Sequence, residues 1–302
     1  MKRVFGIRWK RVARLGLAAL AGTVLALLTL LAYASWRYAD NFAHPGCLGA
    51  RESLEPQGYA SEPIVIETTR GYQLRGWLTR GDRFPEAVIV VLPGISGNTQ
   101  FAVPNAALLA RAGFGTLIYE HRSCADPDLI HTGGYLEADD LVSTAEFLRA
   151  RSDVRHVGVL GFSAGGTAAL LAAAKTTRIE AVVAMGGFSS LDADILRTQA
   201  ASGLVDRTIL QMVVIILGLE MGVAPSEVSP AAHIAEIRPR PVLLIYGEHE
   251  ADHGQALFSA ALEPKELWIV PGVGHGGYRE AFPREYEARI VGFFLSAFHL
   301  GP

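Results

Sequence analysis

Residues 157–174 read Val-Gly-Val-Leu-Gly-Phe-Ser-Ala-Gly-Gly followed by an Ala/Leu-rich run, and no other stretch narrows the choice of fold as far. A short apolar strand at 157–160 runs into Gly161-Phe162-Ser163-Ala164-Gly165, and a helix of small residues begins at once. The spacing predicts a sharp strand-to-helix turn, because glycine at the flanking positions lets neighbouring backbone approach without a Cβ clash. Such a turn lifts Ser163 clear of the sheet. It also leaves the first N–H groups of the helix facing any negative charge that develops there. A Gly-rich turn in an ordinary βα unit would use the same five residues without chemistry. The strand before and the helix after favour a nucleophile.

The rest of the chain repeats the alternation. Residues 87–92, 115–119, 179–185, 242–246 and 266–270 are short apolar runs suited to central parallel strands, most of them separated by helical stretches. Residues 63–69 and 73–79, split by Arg70-Gly71-Tyr72, predict a leading antiparallel hairpin. Together they predict an α/β fold with a mostly parallel, doubly wound sheet. A helix is expected over 135–150, where Leu136, Leu141, Val142, Ala145 and Leu148 recur near helical spacing. Between the runs ending at 185 and starting at 242 lies far more chain than a βα connection needs, which predicts an inserted helical cap at about 187–240. Within it, 209–219 is apolar except for Gln211 and too short to span a bilayer. It reads as a cap helix packed on the domain, or else as a lid turned to substrate or membrane.

The N-terminus is a different material. Residues 1–14 hold six Lys/Arg and no acid, which leaves the remainder of this −3 chain at −9, a poor charge for binding nucleic acid. Residues 15–36 are uncharged, and 22 residues at 1.5 Å each make about 33 Å of helix, enough for a hydrocarbon core of roughly 30 Å. Tyr33, Trp36 and Tyr38 mark the far end, and the basic cluster marks the near end as cytoplasmic. A single-pass signal anchor is expected, with residues 37–61 as linker and a catalytic domain over 62–302 on the outer side. The other reading is a signal cleaved near Ala34, with a secreted product. Cys47 and Cys124 are too few for a disulfide scaffold and lack metal-site spacing; they read as free thiols or as one disulfide outside the cytosol.

A serine hydroxyl is a weak nucleophile and needs a base, and the base needs an orienting acid. Of nine histidines, only His275 lies in the loop directly after the last expected strand, in the glycine-bounded Val-Pro-Gly-Val-Gly-His-Gly-Gly. His44, His121, His131, His156, His233 and His299 suit surface or packing roles. Carboxylates follow the strand Pro-Val-Leu-Leu-Ile-Tyr-Gly at Glu248, Glu250 and Asp252. A rival pattern overlaps them: His249-Glu250-Ala251-Asp252-His253 satisfies H-E-x-x-H, which holds zinc only when both histidines share a helix face. Here His249 comes two residues after a strand-ending glycine, with no helical turn before it.

At these motifs the chain resembles the α/β-hydrolase superfamily, and within it the serine-aminopeptidase-like and prolyl-oligopeptidase-like hydrolases. The resemblance covers about 62–299. It rests on Thr-Thr-Arg-Gly-Tyr-Gln-Leu-Arg-Gly-Trp, Val-Leu-Pro-Gly-Ile-Ser-Gly, Gly-Phe-Ser-Ala-Gly-Gly, Pro-Val-Leu-Leu-Ile-Tyr-Gly and Pro-Gly-Val-Gly-His-Gly, in that order. It implies an acid three residues beyond the strand-ending glycine, which is Glu250, with Asp252 as the alternative acid or as N-cap of a helix running to Leu262. It implies an oxyanion hole from the N–H groups of Ala164 and Ile95. Pro93-Gly94 stands where relatives often have His-Gly, and Tyr119 to Cys124 lacks the glycines usual there. The implied function is a serine hydrolase that cleaves an ester or amide, lipid esters included, through an acyl-enzyme, with no cofactor. An acyltransferase with the same residues, a zinc metallopeptidase and a non-catalytic binding module are the alternatives.

Overall fold

The computed structural model describes residues 2–95, 97–197 and 203–301. The antiparallel hairpin is β1 (Ser61–Glu67) and β2 (Gln73–Thr79), and β2 pairs antiparallel with β4 (Phe114–Tyr119). From β4 onward the pairing is parallel, through β3 (Phe84–Leu92), β5 (His156–Phe162), β6 (Ala181–Met185), β7 (Val242–Gly247) and β8 (Lys265–Val270). The order is β1-β2-β4-β3-β5-β6-β7-β8, so the direction of winding reverses between β3 and β5. That reversal opens a crevice at the carboxyl ends of these two strands, where open α/β sheets bind ligands. Leu92 pairs with Gly161, so the loops after β3 and β5 leave the sheet side by side.

The central strands are buried on both faces, as their unbroken apolar runs require. One face is covered by α4 (Tyr135–Arg149), α5 (Ala164–Lys175) and α9 (Ala251–Ala260), the other by α2 (Val103–Arg111) and α11 (Pro283–Ala297). In α5 the small residues from Ala164 to Ala173 are all buried, which lets this helix lie close under the sheet. Phe114, Phe294 and Phe298 stack edge-on and face-on beneath the other face.

The N-terminal segment differs from the expected span plus linker. A single helix, α1 (Lys2–Ala43), continues seven residues past Trp36. Its stretch from Arg11 to Ala43 is long and apolar enough to cross a membrane. Two forces carry it beyond the aromatic belt. Arg37–Asp40 and Asp40–His44 pair one turn apart, and Ser35, Ala39 and Ala43, spaced four residues apart, are buried. Ala39 and Ala43 share the core with Val213, Leu217 and Met221 of α7 (Leu204–Met221), against which α1 packs. The stretch between α1 and β1 is therefore short, 44–60. Its base is fastened to the domain by the Cys47–Cys124 disulfide, with Cα atoms 4.9 Å apart, which excludes the free-thiol reading.

Between β6 and β7 the expected cap is helical: α6 (Leu191–Leu196), α7 and the short α8 (Pro230–His233), with single turns at Pro225–Glu227 and Ile234–Ile237. Residues 198–202 of the expected cap lie outside the described residues. The apolar run 209–219 falls within α7, whose inner side packs on the domain and on α1, while Leu204, Val205, Ile215 and Leu219 are exposed.

Candidate active site

Ser163 is the residue between β5 and α5, with φ 56° and ψ −124°. A side chain at positive φ is strained by about 1–3 kcal/mol, so its surroundings must enforce it. They do so through the Ser163 N–H, which donates to the Met185 carbonyl at 2.7 Å, and through close backbone packing. A Cβ at Gly161 would lie 2.2 Å from the Gly165 carbonyl oxygen, and one at Gly165 would lie 2.3 Å from that of Pro93. The sequence needs glycine at both positions for this reason.

The loop after β8 brings His275 back over the sheet edge. Its Nε2 lies 3.0 Å from Ser163 Oγ, and its Nδ1–H donates to Glu250 Oε2 at 2.7 Å. Glu250 ends the single turn that follows β7 and points inward, 6 % exposed, where its Oε1 accepts from the Gly247 N–H at 3.3 Å and from the Tyr278 hydroxyl. Burial works to raise the Glu250 carboxyl, but hydrogen bonds from His275 and Tyr278 outweigh it and hold it below the ordinary carboxylate range. The bond to Glu250 raises His275 above the usual imidazole value against the opposing effect of burial.

Asp252 takes no part in this chain of hydrogen bonds. It sits in the first turn of α9 with its side chain 62 % exposed, 3.7 Å from Arg197. Nor is it the N-cap; Glu250 holds that position, and α9 stops at Ala260 rather than Leu262. The H-E-x-x-H pattern also comes apart. His249 lies in the turn before α9, Glu250 faces His275, and His253 Nδ1 accepts from the Ser189 N–H at 3.1 Å.

The N–H of Ala164 begins α5, where no preceding carbonyl of the helix reaches it. Gly94 packs against Ser163 closely enough that a Cβ there would sit 3.2 Å from the serine Cβ, so the loop carrying Ile95 borders the same space. Ser163, Ala164, Ile95 and His275 share a cleft of about 320 Å³, walled also by Phe188, Arg197 and, from α1, Phe42.

Sequence reasoning missed two partners of this site. Tyr278, three residues beyond His275, opens the short helix α10 (Tyr278–Ala281), but a tyrosine after Gly-Gly carries no signal of its target. Phe42 was assigned to a linker. His131 is buried and lines the cleft, and His121 is partly buried, both beside Glu137, which agrees with a packing role. His44, His156 and His233 do lie near the surface, each beside a carboxylate.

Residues 87–214 match the family model described as the alpha/beta hydrolase fold. The uncharacterized protein YfhR of Escherichia coli O157:H7 is 26 % identical over 253 residues, covering 80 % of this chain and 83 % of YfhR. Among solved structures, the Pyrococcus furiosus esterase PF2001 superposes with a TM-score of 0.69 at 18 % identity, over 84 % of this chain and 97 % of the esterase. The hypothetical protein PA2218 of Pseudomonas aeruginosa superposes with a TM-score of 0.62 at 23 % identity, over 79 % and 94 %.

Proposed function

Because this chain is an α/β-hydrolase in fold, we propose that it is a serine hydrolase cleaving an ester or amide bond through an acyl-enzyme. The observation that carries the reading is the continuous chain from Ser163 Oγ to His275 Nε2 at 3.0 Å and from His275 Nδ1 to Glu250 at 2.7 Å. On this reading His275 takes the serine proton as Oγ attacks the substrate carbonyl, then returns it to the leaving group. Water, activated by the same imidazole, releases the acyl group. Glu250 holds the tautomer in which Nε2 is the acceptor and stabilises the imidazolium that forms. The N–H groups of Ala164 and Ile95 receive the charge on the tetrahedral oxygen.

The chain divides, in this account, into a basic cytoplasmic segment at 1–14, a membrane span at 15–36 and a hydrolase domain from 62 to the end, on the outer side. The basic cluster supports that orientation. The disulfide supports an oxidising compartment. A retained anchor, rather than a signal cleaved near Ala34, is supported by the packing of Ala39 and Ala43 with α7, since cleavage there would release the packed end of α1 from its span. The substrates proposed are small esters or amides, with lipid esters favoured by a cleft whose wall is continuous with the anchor.

Replacing Ser163 or His275 by Ala should lower kcat by about 10⁴ to 10⁶, because the members act as a unit. A Ser163→Ala variant that keeps more than a tenth of the activity rules the mechanism out.

A further inference from the structure

Beneath the cleft, three side chains converge from consecutive elements within residues 121–137. His121 follows β4 and precedes α3 (Arg122–Ala125), His131 lies in the loop beyond, and Glu137 is in the first turn of α4. His121 Nε2 and His131 Nδ1 are 3.1 Å apart, and they lie 3.4 and 3.1 Å from the same oxygen, Glu137 Oε1. The triangle is close to equilateral and sits in the interior; His131 is fully buried and Glu137 is 7 % exposed.

Hydrogen bonding alone cannot make all three edges attractive. If both nitrogens carry protons toward Oε1, the two N–H groups crowd each other across 3.1 Å. If one nitrogen accepts from the other, its lone pair faces a carboxylate oxygen. A proton shared by two edges leaves two acceptors on the third. A single cation capping the triangle turns every contact into attraction. With metal–ligand bonds of about 2.1 Å, ligand atoms stand roughly 3.4 Å apart in a tetrahedron and 3.0 Å apart in an octahedron, and the observed edges span that range.

The supporting groups fit a ligand set. The Glu137 carboxylate is oriented by the Thr132 N–H on Oε1 at 3.0 Å, and by the Thr132 hydroxyl and Gly134 N–H on Oε2 at 2.7 and 2.9 Å. The Ser123 N–H donates to His121 Nδ1 at 3.2 Å, and the Ser123 hydroxyl, which donates onward to the Gly46 carbonyl, lies 2.8 Å from the same nitrogen; a cation at Nε2 therefore requires the ring proton to move to Nδ1, with that hydroxyl as its acceptor. The His131 ring is held by Phe42 at 5.1 Å. A small space of about 30 Å³, bordered by His121, Glu137, Tyr119, Arg122 and Ala164, is large enough for one water as a further ligand.

We propose that His121, His131 and Glu137 form a buried binding site for one divalent transition-metal cation of the zinc class, with a water in the adjoining cavity. Two imidazoles and one carboxylate suit such a cation, whereas magnesium and calcium prefer oxygen ligands alone. The site joins the loop after β4, the start of α4 and, through His131 and Phe42, the base of α1. His131 also borders the Ser163 cleft, but none of the three ligands belongs to the chain of hydrogen bonds from Ser163 through His275 to Glu250, so the site does not depend on the serine mechanism.

The full chain in detergent, stripped with chelator, is titrated with zinc by calorimetry, and bound metal is counted by elemental analysis after dialysis. One equivalent is expected, with a raised melting temperature that chelator reverses. Glu137→Gln and His131→Gln should each bind more than about 10-fold more weakly, the upper variants' fold being checked by circular dichroism. Ser163→Ala and His249→Gln should bind as the parent does. Cobalt in place of zinc should give visible bands that Glu137→Gln loses. Absence of a retained equivalent in the parent overturns the proposal, as does full retention in both ligand variants or loss in His249→Gln.

Discussion

Glu250 and Asp252 stand two residues apart and have opposite surroundings, which sets the prediction at the scale of single side chains. Glu250→Gln should lower kcat by about 10⁴, since an amide N–H can face Nδ1 and fix the wrong imidazole tautomer. Asp252→Asn, on an exposed side chain, should change kcat less than threefold, the size of a lost surface pairing. The pH profile checks the same contact independently. His275 must be neutral to accept the serine proton, and Glu250 raises its pKa, so kcat/KM should climb with pH about a midpoint above the ordinary 6.5. In Glu250→Gln the residual activity should have a lower midpoint. A parent midpoint below 6.5, or equal losses in the two variants, contradicts the assignment. Ser163 and His275 were legible because each lies in a glycine-bounded motif next to a recognisable strand. The choice of acid was narrower than motif spacing could make it, because it turns on whether the residues after β7 form a tight turn or begin the helix at once. His121, His131 and Glu137 formed no motif; their convergence depends on how the loop after β4 folds back onto α4.

Among the elements, the strands, the hairpin and α4 follow from periodicity to within a few residues, because burial on one or both faces leaves a pattern in the sequence. The end of α1 did not, since its last turns are held by tertiary contact with α7 and not by a pattern of their own. Small residues at 35, 39 and 43 were the available sign of close helix packing. The disulfide completes this junction by tying the chain below α1 to α3 across a separation of 77 residues. Closing a loop of that length stabilises a folded protein by about 4 kcal/mol. Cys47→Ser should therefore lower the melting temperature, and a reductant should destabilise the parent but leave the variant unchanged. A parent whose melting is indifferent to reductant, and whose thiols titrate as free before unfolding, would refute the pairing.

For the whole molecule, the junction means that α1 is built into the domain and is no loose tether. Phe42 lies six residues, about 9 Å along the helix, beyond Trp36, and it forms part of the cleft wall that faces Ser163. If α1 spans the bilayer, the cleft is held near the lipid surface in a fixed orientation, and a soluble fragment begun after Ala43 would lose a wall of it. Sequence alone conveyed the span and the domain as separate pieces, because hydropathy and strand periodicity are local and the contact between α1 and α7 is not. The central claim remains chemical, that Ser163 is an activated nucleophile. The most direct measurement is to treat membranes containing the full chain with a fluorophosphonate probe and map the adduct by peptide mass spectrometry. The account predicts one adduct, on Ser163, formed equally with and without chelator and abolished in His275→Ala. A native chain that takes up no probe, or takes it up at another residue, would contradict it.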